Sequence, residues 1–276
     1  MNDDTHERPR IVGIVNITED SFSDGGRFLK ADEALRHART LASTGADILE
    51  LGPASSHPDS SLVSGKEQIE RLVPVLDELA SEALPISIDA TDSDVLVYSL
   101  GAGVAMLNDI RGFGDASIHP DLADSDASLV VVHSLLERER AERNQATPME
   151  VLDSIDRFFE LRLGELVRAG ISEDRLIVDP GMGFFLGSDP RSSVDVLQRI
   201  PALRARFGRP VLISVSRKSF LRSLTGRGVE EIGPATLAAE LYAARKGADY
   251  IRTHDVAALH DALEVMKALE NEEPSA

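Results

Sequence analysis

The sequence contains no cysteine among its 276 residues and no hydrophobic run near membrane-spanning length. Without cysteine the chain can form neither a disulfide framework nor a catalytic thiolate. A membrane helix needs about 20 consecutive apolar residues, and no stretch of the sequence approaches that length. Residues 1–10 are polar and charged and lack the apolar centre of a secretory signal peptide. These absences predict a cytoplasmic protein that has no membrane partner.

Positive charge is scarce, because 29 lysine and arginine residues face 47 aspartate and glutamate residues and leave a net charge of −18. This balance argues against a nucleic-acid partner, whose phosphate backbone is bound through lysine and arginine. It is typical of an acidic, solvated surface that aids solubility. An anionic substrate would therefore need a local basic cluster, for which the candidates are Arg217, Lys218, Arg252 and His254.

Eight short apolar runs are spread along the chain, at residues 11–15, 48–51, 86–88, 104–107, 129–132, 176–178, 211–213 and 250–251. Runs this short and rich in valine and isoleucine are typical of strands buried on both faces of a parallel sheet. Helical patterns lie between most of them, at about residues 31–43, 66–81, 93–100, 147–169, 192–207, 234–246 and 256–269. The alternation predicts a TIM (β/α)8 barrel, whose usual length is roughly 250 residues.

We interpret residues 1–276 as a single barrel domain with flexible ends at 1–10 and 271–276. The charged segment 134–147 is expected to form a mobile loop or an irregular helix, with a solvated surface favoured over a substrate lid. Five glycines at predicted helix ends suit left-handed C-caps: Gly45, Gly101, Gly170, Gly208 and Gly247.

Each apolar run is followed by a residue able to do chemistry, and the active site of a TIM barrel lies where its strands end. Asp89, Asn108 and Asp179 follow three of the runs and bring two carboxylates and one amide to a common cavity. That set suits a flat heterocycle with N–H donors, because carboxylates accept paired N–H bonds. The alternative is that each residue caps the helix or turn that follows it.

Three further strand ends carry candidate ligand-binding groups. Asn16 follows the first run, where an amide oxygen suits Mg²⁺ shared with substrate phosphates, although an ordinary turn residue is the alternative. The segments 216–219 and 252–254 make a cationic pair of loops on the usual anion-binding side of the barrel, unless their charges pair with surface carboxylates. His133 is interpreted as a hydrogen-bonded histidine at a strand end rather than as a catalyst.

Six sequence blocks resemble the dihydropteroate synthase family. They are residues 14–26 (IVNITEDSFSDGG), 87–89 (SID), 108–109 (ND), 179–184 (DPGMGF), 216–219 (SRKS) and 252–254 (RTH). The likeness spans about residues 11–255, in the family's order. It implies a transferase that joins 6-hydroxymethyl-7,8-dihydropterin pyrophosphate to p-aminobenzoate, releasing pyrophosphate, in folate biosynthesis.

The resemblance also implies roles for individual residues. Asp89, Asn108, Asp179 and Lys218 would hold the pterin, with Arg252 stacked on its ring. Asn16 would bind Mg²⁺, and Arg252 and His254 would hold the pyrophosphate. The p-aminobenzoate pocket would be lined by Phe22, Phe184, Lys218 and Ser219, and Asp20 and Asp24 would act catalytically with Lys218 from a loop that closes over it. The family further implies a homodimer.

Two segments depart from the usual family pattern. The second loop usually reads Ser-Thr-Arg-Pro-Gly, whereas residues 55–59 read SSHPD, so His57 would face the substrate in place of an arginine. Residues 183–186 (GFFL) are bulkier than the usual Gly-Phe-Gly-Lys. These variants resemble the sulfonamide-insensitive branch of the family. The alternatives are a non-catalytic pterin-binding homologue and a pterin-dependent methyltransferase on the same type of barrel.

Overall fold

Eight parallel strands form one sheet in the computed structural model of the chain. The structure describes residues 8–17, 26–54, 63–135 and 146–271. For residues 26–30 and 271 it describes only the backbone. The strands are β1 (Arg10–Asn16), β2 (Ile48–Gly52), β3 (Ile86–Asp89), β4 (Met106–Asp109), β5 (Ser128–Val132), β6 (Leu176–Asp179), β7 (Leu212–Ile213) and β8 (Tyr250–Thr253).

The sheet closes into a barrel. Strand pairing runs in the order β6-β5-β4-β3-β2-β1-β8-β7. The two ends meet where Val178 and Val211 form a parallel bridge and the Val178 amide donates to the Pro210 carbonyl at 2.9 Å. Helices alternate with the strands along the chain. The predicted TIM barrel is therefore confirmed, and closure leaves no unpaired strand edge between β6 and β7.

Nine α-helices lie among the described residues: α1 (Gly26–Ser43), α2 (Gly65–Leu79), α3 (Ser93–Gly101), α4 (His119–Ala123), α5 (Pro148–Arg168), α6 (Pro190–Phe207), α7 (Ser219–Thr225), α8 (Gly233–Arg245) and α9 (Val256–Asn271). Within those residues no helix is both long and apolar enough to cross a bilayer. The short α4 and α7 were not predicted, because five to seven residues are too few to show a helical period.

Local sequence explains where several helices begin. Thr147 and Glu150 form a reciprocal capping box at the start of α5, with a Pro in the first turn. Asp92 and Asp189 accept backbone N–H bonds at the starts of α3 and α6. These side chains satisfy amide groups that have no partner within the helix.

One of the five predicted glycine C-caps is wrong. Gly101 is the last residue of α3, and Gly103 adopts the left-handed backbone instead, with φ of 75°. The helix continues one residue further than its apolar pattern, so the chain reverses after Ala102 and the left-handed residue follows it. The other four glycines have positive φ, as expected for residues that end a helix without a Cβ clash.

The core has two layers. The larger lies between strands and helices, and a smaller one fills the lower barrel interior with Val12, Ile48, Met106, Val130, Val132, Ile177 and Leu212. Inward and outward side chains alternate along each strand, so the next inward positions lie one layer higher. In that layer polar residues replace the apolar ones, which places a polar cavity at the carboxyl end of the barrel.

A buried carboxyl group lies behind the last strand. Glu240 of α8 is 1% exposed and contacts the Thr253 hydroxyl of β8, while its Oε1 has no hydrogen-bond partner among the described residues. Burial raises the pKa of Glu240 to about 8, and Thr253 only partly offsets that rise. The group is therefore largely protonated in the folded protein at neutral pH.

We predict that Glu240→Gln flattens the dependence of stability on pH. A carboxyl whose pKa is higher in the folded than in the unfolded state contributes stability at low pH, and that contribution is lost as pH rises through the folded pKa. The free energy of unfolding of the wild type should therefore fall more than that of the variant between about pH 5 and pH 8.5. Denaturant unfolding at a series of pH values measures this, with exposed Glu264→Gln as control. Parallel curves for wild type and Glu240→Gln would contradict the prediction.

Candidate active site

Two adjoining cavities open at the carboxyl end of the barrel. The inner one has a volume of about 20 Å³ and is lined by residues from β3 to β8 and the loops after them: Asp89, Asn108, Ile110, Val132, Asp179, Met182, Phe185, Ser214, Lys218 and Arg252. The outer one has a volume of about 460 Å³. Asp89, Phe185, Ser214, Lys218 and Arg252 line both, so the cavities form one continuous site.

The structure brings together the five residues that the family resemblance assigns to the pterin ring. Asp89, Asn108, Asp179, Lys218 and Arg252 all line the inner cavity, although they are up to 163 positions apart in the chain. Strand register explains the meeting, because Asp89 pairs with Asn108 across β3 and β4 and Val132 pairs with Asp179 across β5 and β6.

A buried ion-pair network organises this cavity. The Arg252 guanidinium donates through Nη2 to Asp89 Oδ2 at 2.6 Å and through Nε to Glu50. Burial by itself would lower the pKa of Arg252, but Glu50 and Asp89 hold it above its ordinary value. Arg252 therefore stays charged and bridges β8 to β2 and β3.

Glu50 is a site residue that the sequence reasoning missed. Its side chain is fully buried, and it also accepts bonds from the Asn108 amide at 3.0 Å and the Ser87 hydroxyl at 3.3 Å. The available signal was a glutamate inside the four-residue buried run of 48–51, which was interpreted as apolar. A charged residue in such a run requires a buried partner, and Arg252 is that partner.

Burial changes the protonation of the acidic groups that face the cavity. It raises the pKa of Asp89 and of Asp179 to about 6, while Arg252 beside Asp89 and the Gly181 amide bound to Asp179 limit the rise. Burial, with Arg252 nearby, lowers the pKa of Lys218 to about 8. At neutral pH both carboxylates are mainly ionised and Lys218 is mainly protonated, so hydrogen-bond acceptors and a donor converge here.

The prediction that His254 adds positive charge is wrong. Burial, followed by the nearby charges of Arg217 and Arg252, lowers the pKa of His254 to about 3, so the ring is neutral. Its Nδ1 lies 2.9 Å from the Ser216 hydroxyl, which also accepts the His254 amide at 3.2 Å. Of the four residues predicted to form the basic cluster, Arg217, Lys218 and Arg252 supply positive charge, and His254 is a neutral neighbour that lines the outer cavity.

The outer cavity contains the remaining predicted residues that the structure describes. Phe184 is 42% exposed and shares the lining with Ser219, while Asn16 is exposed at the rim opposite Gly52. Phe185 lies between the cavities, its ring centroid 4.4 Å from Lys218 Nζ. At about 20 Å³ the inner cavity is far below the roughly 300 Å³ of ordinary ligand sites, so a bicyclic ring requires Phe185 or Arg252 to move.

Two other polar residues near the strand ends have structural partners. His133 is buried with Nδ1 3.2 Å from the Pro180 carbonyl and Nε2 3.1 Å from the Ser154 hydroxyl. Asp109 accepts the backbone amides of Arg111 and Phe113 at 2.9 and 2.7 Å and lines neither cavity. Turn capping, the alternative for Asp89, Asn108 and Asp179, applies in part to Asp179, which accepts the Gly181 amide at 2.8 Å and also lines the inner cavity.

Four predicted site residues lie outside the described residues: Asp20, Phe22, Asp24 and His57. Most of the charged segment 134–147 also lies outside them. Their predicted roles stay predictions.

Comparison with known proteins decides the family. A family model described as pterin binding enzyme matches residues 12–254. A dihydropteroate synthase type-2 from Escherichia coli is 54% identical over 94% of this chain and 95% of its own length. A dihydropteroate synthase type-3 from Escherichia coli is 48% identical over 94% of this chain and 99% of its own length. The chain belongs to the dihydropteroate synthases.

Solved structures of this family superpose closely on the chain. The dihydropteroate synthase of Xanthomonas albilineans with 4-aminobenzoic acid is 36% identical with a TM-score of 0.86, covering 97% of this chain and 95% of that one. Its complex with 7,8-dihydropteroate is 35% identical with a TM-score of 0.83 over the same shares. The resemblance that the sequence blocks indicated is confirmed, and membership of this synthase family makes the chain a transferase.

We predict that Glu50→Ala destabilises this synthase by about 3 kcal/mol or more, because it leaves a buried charge underpaired and removes the acceptor of Asn108 and Ser87. Denaturant unfolding measures the loss. Glu82→Ala is the matched control, since Glu82 pairs with Arg39 at 2.9 Å on the surface and such pairs contribute about 1 kcal/mol or less. Equal losses in the two variants would contradict the prediction.

Proposed function

We propose that this dihydropteroate synthase joins 6-hydroxymethyl-7,8-dihydropterin pyrophosphate to p-aminobenzoate and releases pyrophosphate, as a step of folate biosynthesis. The observation that carries the proposal is the convergence of Asp89, Asn108, Asp179 and Lys218 in the inner cavity, directly beside a larger cavity with cationic walls. Such a site offers acceptors for ring N–H groups and space for a second, anionic substrate. Solved structures of the Xanthomonas albilineans synthase contain 4-aminobenzoic acid or 7,8-dihydropteroate, which supports the choice of these substrates.

The pterin would occupy the inner cavity. The Asp89 and Asp179 carboxylates would accept its amino and ring N–H groups, the free oxygen of the Asn108 amide would accept another, and Lys218 would donate to the ring carbonyl or a ring nitrogen. Arg252 would leave Asp89 and stack on the ring, still held by Glu50 through Nε. That exchange keeps Arg252 paired while it frees Asp89 for the substrate.

The p-aminobenzoate would lie in the outer cavity between Phe184 and the Lys218–Ser219 segment. Its amine would face the inner cavity, where it attacks the pterin methylene carbon as the bond to the pyrophosphate oxygen breaks. Holding both reactants in line supplies much of the rate enhancement, since an arylamine is already a usable nucleophile. Asp20 and Asp24 would act from the first loop, with Phe22 on the ring and His57 at the pyrophosphate.

The leaving pyrophosphate would lie against Arg252 and His254, with Arg217 nearby. We propose Mg²⁺ as the cofactor, with the Asn16 amide as a protein ligand. The ion would take most of its other ligands from pyrophosphate and water, as Mg²⁺ commonly does. When bound, the metal would neutralise charge that develops on the leaving group.

Three further parts of the proposal concern the state of the protein in the cell. A homodimer is proposed because the family implies one. A cytoplasmic location is proposed because the chain has no cysteine. Poor inhibition by sulfonamides is proposed because residues 183–186 place two phenylalanines at the entrance between the cavities.

Pyrophosphate release from the two substrates, measured with and without Mg²⁺, tests the function. We expect Mg²⁺-dependent turnover in the wild type, and a decrease in kcat/KM of at least about tenfold in Asp179→Asn and in Lys218→Ala. Asp261→Asn, on the exposed face of α9, is the control. Calorimetric binding of the pterin pyrophosphate without turnover would instead indicate a non-catalytic homologue, and wild-type kinetics in either site variant would remove that residue from the site.

We predict that the wild type accepts p-aminobenzoate yet binds sulfonamides weakly. A sulfonamide is tetrahedral at sulfur and often carries a second ring, which Phe184 and Phe185 would exclude while they admit the flat acid. Phe185→Gly should lower the inhibition constant of sulfamethoxazole by at least about tenfold. Phe158→Leu, a conservative change at an aromatic residue outside both cavities, is the control. Tight inhibition of the wild type, or an unchanged constant in Phe185→Gly, would contradict the prediction.

A further inference from the structure

The outer cavity has an excess of positive charge that the proposed pyrophosphate site does not use completely. Its lining includes Arg217, Lys218, Arg222 and Arg252, and Asp89 is the only carboxylate among its described lining residues. Asp89 and Glu50 bind Arg252, and Lys218 interacts with Asp179, Asp89 and the Phe185 ring. Arg217 and Arg222 remain without an acidic partner in the part of the chain that the structure describes; Arg217 is exposed, whereas Arg222 is partly buried.

The Arg222 side chain is partly buried and incompletely satisfied. Its Nε is shielded from solvent and has no hydrogen-bond partner among the described residues. A buried donor without an acceptor is costly, and such groups in native proteins commonly await a ligand or water.

Arg222 lies on the same side of α7 as Ser219, one helical turn further along the chain, and both line the outer cavity with Phe184 and Val229. Lys218 and Arg252 line both cavities, whereas Ser219 and Arg222 line the outer cavity alone. Arg222 therefore belongs to the part of the lining that the proposed pterin cavity does not share.

We propose that Arg222 binds the carboxylate of the aminobenzoate substrate and makes the enzyme select an acid at that position over a neutral analogue. This inference rests on the proposed function, because it takes the outer cavity as the aminobenzoate site. With the amine facing the inner cavity, the para carboxylate points to the opposite end, where Ser219 and Arg222 lie. A guanidinium there matches a planar carboxylate with two parallel N–H bonds, and partial burial strengthens the attraction.

The physical consequence is selectivity rather than general rate enhancement. A site that provides a buried donor for a substrate group discriminates strongly against an analogue that lacks the matching acceptor charge. p-Aminobenzamide has the same ring, the same amine and nearly the same shape as p-aminobenzoate, but it is neutral. The preference for the acid over the amide therefore measures the contribution of a cation at the far end of the cavity.

Steady-state rates with p-aminobenzoate and p-aminobenzamide, at saturating pterin pyrophosphate, test the inference in wild type, Arg222→Gln and Arg222→Lys. Arg245→Gln is the matched control, because Arg245 is an exposed α8 arginine that lines neither cavity. We expect Arg222→Gln to raise KM for the acid and lower the acid-to-amide ratio of kcat/KM by at least about tenfold, with little change for the amide. Arg222→Lys should retain part of the ratio, and Arg245→Gln all of it.

Two outcomes would overturn the inference while leaving the proposed function intact. An unchanged ratio in Arg222→Gln would show that another group recognises the carboxylate, and a decrease in Arg217→Gln alone would identify that group. Equal losses with acid and amide would indicate a structural role for Arg222. If p-aminobenzamide reacts too slowly for its KM to be measured, its inhibition constant is measured instead, in competition with p-aminobenzoate. Absence of turnover in the wild type would overturn the synthase proposal itself.

Discussion

The Arg252 guanidinium, held between Glu50 and Asp89, is the interaction on which the rest of the site depends. It connects β8 to β2 and β3 inside the barrel, at a level where an ordinary barrel would be filled by branched apolar side chains. Such an ion pair adds little to stability by itself, because desolvation offsets most of the attraction. Its value is that it keeps a charged arginine, an aspartate and the Asn108 amide in fixed positions around a cavity.

This network also explains how an acidic protein forms a site for anionic substrates. The net charge of −18 is spread over the surface, whereas the outer cavity concentrates Arg217, Lys218, Arg222 and Arg252 on its walls. Two acids partly neutralise Arg252, and burial lowers the pKa of Lys218 without discharging it at neutral pH. The remaining positive charge is directed at the places where, in the proposed function, pyrophosphate and carboxylate would lie.

The inner cavity has a volume of only about 20 Å³, and the residues that narrow it also define the site. Phe185 lies over Lys218, and Arg252 occupies the space next to Asp89. Each is held by contacts that a flat aromatic ring could replace, since such a ring can stack on the guanidinium and donate its own N–H groups to the Asp89 carboxylate.

The sequence by itself determined the barrel and most of its strand-end residues. A parallel strand buried on both faces must be short and apolar, so the first polar residue after each run is at the active-site end, as Asp89, Asn108 and Asp179 are. The sequence pattern did not predict which side chains that are distant in the chain pair with each other. Glu50 was hidden inside an apolar run because its partner, Arg252, lies 202 positions away.

Only the tertiary structure decided the charge of His254 and showed that no acidic side chain among the described residues pairs with Arg222. Each depends on burial and on the groups that lie within a few ångströms, which the spacing of residues along the chain does not predict. A histidine two positions after an arginine suggests a basic cluster from the sequence, yet burial and the nearby charges of Arg217, Arg252 and Lys218 keep His254 neutral. Periodicity along a chain records which face of an element is buried, whereas electrostatics depends on all the charges that folding brings together.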